Sequence, residues 1–269
     1  MRSMSYVYSA KKIASQCLGP ASQVGIEVVR ETGSTNADLM ARLQVLNGPT
    51  LLLAESQIAG RGRAGRTWHM EPGKTLTFSL AWKFPLPLAQ LPGLSLVVGV
   101  AIAETLAAWN VDARLKWPND VLLEDRKLAG ILIEAAAEKS NPHSAAWAVI
   151  GVGLNLQSSE HLSERIGAPI AVAANLPADR NHIVAALLNS LAKALVQFKG
   201  EGLPAFVARW NRLHAYRGKP VVILDQGSVL HHGAAVGIDE LGRFVLDTDQ
   251  GRVAVLSGDV SLRLAEVAE

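Results

Sequence analysis

The chain has a single cysteine, Cys17, among 269 residues. No intrachain disulfide can form, and no zinc site built on paired cysteines is available. A strong excess of one charge is also missing, since 26 lysines and arginines against 24 aspartates and glutamates leave a formal net charge of +2. This is not the composition of a general nucleic-acid binder held by a global positive field. Long hydrophobic runs are absent too. The most apolar stretch, residues 94–109, is interrupted by Ser95, Gly99 and Glu104 and falls short of the ~20 apolar residues of a membrane-spanning helix. Near the N-terminus, Lys11 and Lys12 precede a segment, 13–18, that is too short and too polar for a signal-peptide core. The expectation is a soluble, cytoplasmic protein with no membrane partner, free of repeats and low-complexity tracts.

What is present is a globular composition, 49% hydrophobic and 19% charged, apolar enough to fold and far from the disorder signature. The length suits one sizeable core plus a small second domain. Residues 25–30 and 51–55 read as strands, separated by a helix that Ser34 or Thr35 can cap and that carries Leu39, Leu43 and Leu46 at helical spacing. In 76–82, Leu76, Phe78, Leu80 and Trp82 alternate with Thr77, Ser79 and Ala81, a strand with one face inward. A buried helix over 93–109, a hairpin of 121–123 with 127–134, and an apolar strand over 148–156 follow. Two helices come next, the first with Ile183, Leu187, Leu191, Leu195 and Phe198 on one stripe and the second over 203–214. From Gly218 the texture changes to short β-prone runs at 221–224, 234–238, 244–246 and 253–256, which predict a small barrel.

The most telling local feature is Gly-Arg-Gly-Arg-Ala-Gly-Arg at 60–66. It crowds three permanent cations onto a backbone that can approach a ligand closely, which suits phosphate or carboxylate. A solvated basic loop is the alternative reading. Three further polar groups stand at element ends: Ser34-Thr35-Asn36, Lys116-Trp117-Pro118-Asn119-Asp120, and Lys127. Each has a structural explanation as well, in helix capping, in turn formation and in a solvated strand end. His69 and His231-His232 show no metal-ligand spacing.

Taken together, these motifs resemble the biotin protein ligases, of the biotin–acetyl-CoA-carboxylase ligase type, from about Ile26 to the C-terminus. The matched residues are 34–36, Gln57, Gly60 to Arg63 with Gly65, Arg66 and Trp68, Lys116 to Asp120, Lys-Leu-Ala-Gly-Ile-Leu at 127–132, and Gly-Val-Gly-Leu-Asn at 151–155. The resemblance implies an α/β (α+β) architecture. A mixed-sheet ligase catalytic domain, similar to class II synthetases, would span 25–215 after an N-terminal segment 1–24, and a small SH3-like β-barrel would span 216–269. It also implies a two-step reaction, in which biotin and ATP give biotinyl-AMP and pyrophosphate, and biotin then passes to a lysine of the biotin carboxyl carrier protein of acetyl-CoA carboxylase.

By the same resemblance, Lys127, Arg63, Lys116 and Asp120 are the candidate catalytic residues. Ser34, Thr35, Asn36, Gln57, Gly60, Arg61, Gly62, Arg63, Lys127 and Gly130 are expected to bind biotin. Arg63, Arg66, Trp68, Lys116, Asn119 and Asn155 are expected to bind the nucleotide, with Trp68 beside the adenine and Asp120 holding Mg²⁺. The basic loop is expected to close over the ligand. Two departures stand out. Ala64 replaces a residue that is basic in some members, and only 33 residues precede Ser34, too few for the DNA-binding domain of bifunctional members, so a monofunctional ligase with no DNA partner is expected. Relatives include monomers and dimers, so the resemblance admits a homodimer. A lipoate or octanoate ligase and a non-catalytic biotin-binding regulator are the rival readings. A nucleic-acid module is disfavoured by Asp225, Asp239, Glu240, Asp247, Asp249 and Asp259 in the tail.

Overall fold

The computed structural model describes residues 8–225, 227–258 and 260–265. Asp259, one of the acidic residues read in the tail, lies outside them. Twelve strands and six α-helices are found among the described residues. In chain order the body runs α1 (Ala10–Ala14), β1 (Gly25–Thr32), α2 (Thr35–Arg42), β2 (Thr50–Gln57), β3 (Thr75–Phe84), α3 (Leu94–Ala107), β4 (Arg114–Lys116), β5 (Asp120–Leu123), β6 (Arg126–Ala137), β7 (Ala146–Asn155), α4 (Glu160–Ile166), α5 (Arg180–Glu201) and α6 (Pro204–Leu213). The tail adds β8 (Pro220–Asp225), β9 (Ser228–Ile238), β10 (Phe244–Thr248), β11 (Gly251–Val255) and β12 (Val260–Leu264).

The body is a seven-stranded mixed sheet in the order β1-β2-β3-β7-β6-β5-β4, and only the β1–β2 pair is parallel. One face carries the main core. Leu76, Phe78 and Leu80 of β3, Ile150, Val152 and Leu154 of β7, and Ala129 and Ile131 of β6 join α3 and α5 in one continuous apolar cluster. Helix α3 is buried nearly all round, which explains why its sequence is apolar without a polar stripe. Helix α5 is long and apolar enough to cross a bilayer by length and composition, but 56% of its most apolar window is buried inside the protein, as befits a core helix. On the other face α2 covers only a patch of Leu52, Ala81, Trp147 and Val149.

The tail is a five-stranded antiparallel sheet in the order β11-β10-β9-β8-β12. It is locked to the body by named contacts. The Asn211 carboxamide of α6 both donates to Ile238 O (3.0 Å) and accepts from Ile238 N (2.8 Å) in β9, and Trp117 Nε1 donates to Gly242 O at 3.1 Å. The main core cluster continues through Trp210 and Tyr216 into Phe244 and Leu246.

Several elements differ from the sequence expectation. The helix read through Leu46 ends at Arg42, and 43–45 tighten into a 3₁₀ turn before the Asn47-Gly48-Pro49 stop. Strand β4 is only three residues with charged ends, and α4 is seven residues and mostly polar, so neither offers a periodic run. In the tail, β9 begins at Ser228 instead of Ala234, because its first half pairs with β8 while exposing Val229 and Leu230.

Candidate functional site

The uncovered part of the second sheet face opens into a cavity of about 800 Å³. Its floor comes from the alternate residues of the core strands. Thr77 and Ser79 of β3, Gly151, Gly153 and Asn155 of β7, and Gly130 and Leu132 of β6 all line it. The glycines are there for close approach. A Cβ at Gly153 would lie 2.2 Å from the Trp68 ring, and one at Gly151 would lie 2.4 Å from Asn36 Oδ1. The sheet is thus bare where other groups rest on it.

One end of the cavity is a ladder of neutral hydrogen-bonding groups. Ser34 caps α2 by accepting from Ala37 N, and this places Thr35 and Asn36 on the first turn of the helix. Gln57 Oε1 accepts from Thr35 N (2.8 Å) and Thr35 Oγ (3.1 Å). Thr35 Oγ lies 2.7 Å from Ser79 Oγ, which donates to Asn36 Oδ1 at 2.5 Å. Asn36 Nδ2 in turn donates to Glu134 Oε2 (3.0 Å) and Leu132 O (3.4 Å). Because the Thr35 amide donates, the Gln57 oxygen faces Thr35 and its Nε2 is left as a donor for a ligand.

The other end is cationic. The basic loop is a compact turn, closed by Gly62 N to Arg66 O at 2.7 Å and Trp68 N to Gly60 O at 2.9 Å. Ala64 (φ 51°) and Gly65 (φ 68°) take its left-handed positions. Arg61, Arg63 and Arg66 line the cavity. Arg63 donates to Asn119 Oδ1 at 3.1 Å and to Gly258 O in the tail, and Arg61 pairs with Glu134 at 3.0 Å. Lys127 Nζ sits 2.6 Å from Asp120 Oδ1 and 5.6 Å from the centre of the Trp68 ring.

The Lys116 to Asp120 motif divides its labour by alternation. Trp117 is fully buried against Phe244, with ring centroids 5.5 Å apart, while Lys116, Asn119 and Asp120 reach the cavity. Asn119 Nδ2 ties the turn to Ile131 O at 2.7 Å. Burial pushes the Lys116 amine down to about 8; Asp120 opposes this, and Arg263, Lys127 and Arg66 add to it. The ammonium is therefore destabilised despite the nearby Asp120 carboxylate.

The cavity gathers every candidate catalytic, biotin-binding and nucleotide-binding residue named from the sequence except Gly60. Gly60 is buried beneath the loop, where a Cβ would meet Trp68 O at 2.4 Å, so it shapes the loop and does not line the site. Asn155 lines the site while its Nδ2 holds Lys127 O at 3.1 Å. Trp68, expected beside the adenine, lies on the glycine floor. Its Nε1 is buried with no partner among the described residues, and the same is true of His69 Nδ1.

The comparisons with known proteins agree with this geometry. The biotin/lipoate A/B protein ligase family model matches residues 25–155, and the biotin protein ligase C-terminal domain matches 217–263. The bifunctional ligase/repressor BirA of Escherichia coli (strain K12) is 37% identical over 257 residues, covering 94% of this chain and 78% of that relative. The chain belongs to the biotin protein ligase family. The biotin–[acetyl-CoA-carboxylase] ligase of Mycobacterium tuberculosis is 34% identical over 244 residues, covering 87% of this chain and 88% of that family member. A solved family structure, the biotin protein ligase from Aquifex aeolicus in complex with biotin and ATP, superposes with a TM-score of 0.72 at 28% identity, covering 90% of this chain and 99% of that one.

Sequence reasoning missed several lining residues of the cavity. Thr77 and Ser79 were in plain view as the small polar alternates of an apolar strand, a pattern that could have been read as a floor. Arg263 of β12 and the 166–170 stretch around Pro169 also line the cavity. The latter pairs with Lys127 through an isolated bridge to Ile170. Neither carried a local signal, since both arrive through the tertiary fold.

Proposed function

We propose that the protein is a biotin–protein ligase that adenylates biotin with ATP and transfers it to a lysine of the biotin carboxyl carrier protein of acetyl-CoA carboxylase, in the cytoplasm. The observation that carries this reading is the polarity of the cavity, a neutral hydrogen-bonding ladder at one end and a cluster of cations at the other. A cyclic urea with a pendant carboxylate has the same layout. The match to a C-terminal domain described for biotin ligases favours biotin over lipoate, whose apolar chain has no use for the ladder.

In this reading the ladder of Ser34, Thr35 and Gln57 holds the ureido ring, with Asn36 fixing the geometry behind it. The carboxylate lies toward Lys127, Arg61 and Arg63, and the phosphates lie among Arg63, Arg66, Lys116 and Arg263. A carboxylate oxygen attacks the α-phosphorus, and the bond to the bridging oxygen breaks with its electron pair leaving on pyrophosphate. Two anions meet in that step, so preorganised cations that need no reorganisation supply much of the catalysis. In the second step the carrier's amine attacks the acyl carbon, AMP departs with the C–O electron pair, and the nitrogen gives its proton to solvent. Closure of the basic loop excludes water from the mixed anhydride.

No three His, Cys, Asp or Glu side chains converge into a metal cage among the described residues. Asp120 lines the cationic end, and its carboxylate is a hard oxygen donor that fits a Mg²⁺ held mainly by the ATP phosphates, as is usual for this ion. Bound there, it would neutralise phosphate charge. Residues 25–215 act as the ligase body in this scheme and 216–269 as an appended barrel. The barrel contributes Arg263 to the nucleotide end.

The test is biotin-dependent ATP–pyrophosphate exchange, with lipoate as control acid. Exchange with biotin alone is expected. Exchange with lipoate alone, or with neither acid in folded protein, overturns the reading.

A further inference from the structure

Glu134 is a carboxylate that touches both halves of the site without lining it. Its Oε2 accepts from Asn36 Nδ2 at 3.0 Å, and its Oε1 pairs with Arg61 NH2 at 3.0 Å. The side chain is 22% exposed, against 51% for Arg61, so the acid is the fixed partner and the loop arginine the movable one. Both partners are donors, so the position requires two acceptors. A carboxylate provides them, whereas an amide would set its NH₂ against one donor or the other.

Asn36 needs such an anchor. Its Oδ1 takes the Ser79 hydroxyl and its Nδ2 is shared between Glu134 and Leu132 O. The side chain is therefore committed to holding the ladder in register.

We propose that Glu134 is a positioning residue that fastens the basic loop, through Arg61, to the ladder that recognises the ring end of the substrate. One carboxylate then sets the distance between ring recognition and carboxylate capture. The inference rests on the biotin reading above. It predicts that the loop closes as a unit hinged at Arg61, and that a substrate filling only the ladder already favours closure.

The test compares wild type, Glu134→Gln, Arg61→Ala and the double variant in biotin-dependent exchange. The KM for biotin is expected to rise about tenfold in Glu134→Gln with a smaller change in kcat, a split that general loss of folded protein would not produce. In the Arg61→Ala background the same substitution should change KM less than twofold, because its partner is already gone. Tryptic cleavage after Arg61 in the presence of biotin should be faster in Glu134→Gln than in wild type. Glu134→Asp, which keeps the charge and shortens the reach, serves as a second variant if the amide fails to fold, and it should raise KM in the same direction.

Additive effects of Glu134→Gln and Arg61→Ala would overturn the proposal, since residues that act through each other do not add. A lower KM in Glu134→Gln would also overturn it, by making the pair a latch that holds the loop away from ligand. Failure of wild type to catalyse biotin-dependent exchange would sink the ligase reading itself. An unchanged KM in an active Glu134→Gln enzyme would sink only the role of Glu134.

Discussion

The two faces of the large sheet are made from the same strands and do opposite work. On β7, Ile150, Val152 and Leu154 enter the core beneath α3 and α5, while Gly151, Gly153 and Asn155 floor the cavity. On β3, Leu76, Phe78 and Leu80 face the helices, and Thr77 and Ser79 face the ligand side. Side chains alternate across a strand, so each residue belongs to one face only. Stability and function are therefore interleaved one residue apart, and substitutions at adjacent positions should fail in different ways.

The largest effect expected from the open face is that of Lys127→Ala. It removes the cation placed between Asp120 and the Trp68 ring, and exchange should fall on the order of 10³-fold, as for loss of one preorganised transition-state group. The side chain is 41% exposed, so urea unfolding should shift by less than about 1 kcal/mol. A large loss of stability here would break the separation of the two faces.

Ile150 and Gly153, three residues apart on β7 and on opposite faces, sharpen the contrast within one strand. Ile150 is fully buried, and Ile150→Ala should cost about 3 kcal/mol of unfolding free energy while leaving exchange per folded molecule within twofold. Gly153→Ala should do the reverse. Its new Cβ drives into the Trp68 ring, so exchange should fall roughly tenfold or more with stability within about 1 kcal/mol of wild type. Urea titrations beside exchange rates decide both, and a matched loss of both properties in either variant would merge the faces.

This interleaving also explains what could be read in the chain beforehand. The helical face was legible in the apolar alternates of 76–82 and the stripe of 183–198, because burial imposes period and composition. The basic loop, Lys116 to Asp120 and Lys127 were legible because charge and glycine concentrated at element ends have few structural uses. The floor was not. Thr77 and Ser79 look like the solvent side of a half-buried strand, and only the fold reveals a cavity there. Gly-Val-Gly at 151–153 was quoted as a motif, yet its glycines say nothing of Trp68 until the loop is seen to cross them. Glu134 and Arg263 were invisible for a further reason: their roles depend on partners 73 positions back at Arg61 and across the domain junction.

The dry side also buries an imidazole, and it offers the smallest and most specific test. His214 is 5% exposed and packs against Trp210 at 4.9 Å and Phe244 at 5.5 Å between ring centroids. Both of its ring nitrogens are buried with no partner among the described residues. Burial, with a further contribution from Arg217, holds its pKa down to about 4, against about 6.5 in an unfolded chain. The folded state thus prefers the neutral ring. Its stability contribution is complete above pH 6.5 and is lost as pH falls toward 4, amounting to about 2 kcal/mol at pH 5. His214→Phe keeps an aromatic ring in an aromatic pocket and removes the proton, so unfolding free energy measured from pH 7.5 down to 5 should fall less steeply in the variant than in wild type by that amount. The difference between the two curves isolates this residue from the carboxylates common to both. Parallel curves would mean that water or a backbone group reaches the ring, and that the core joining the sheet to the tail is wetter than the face it continues.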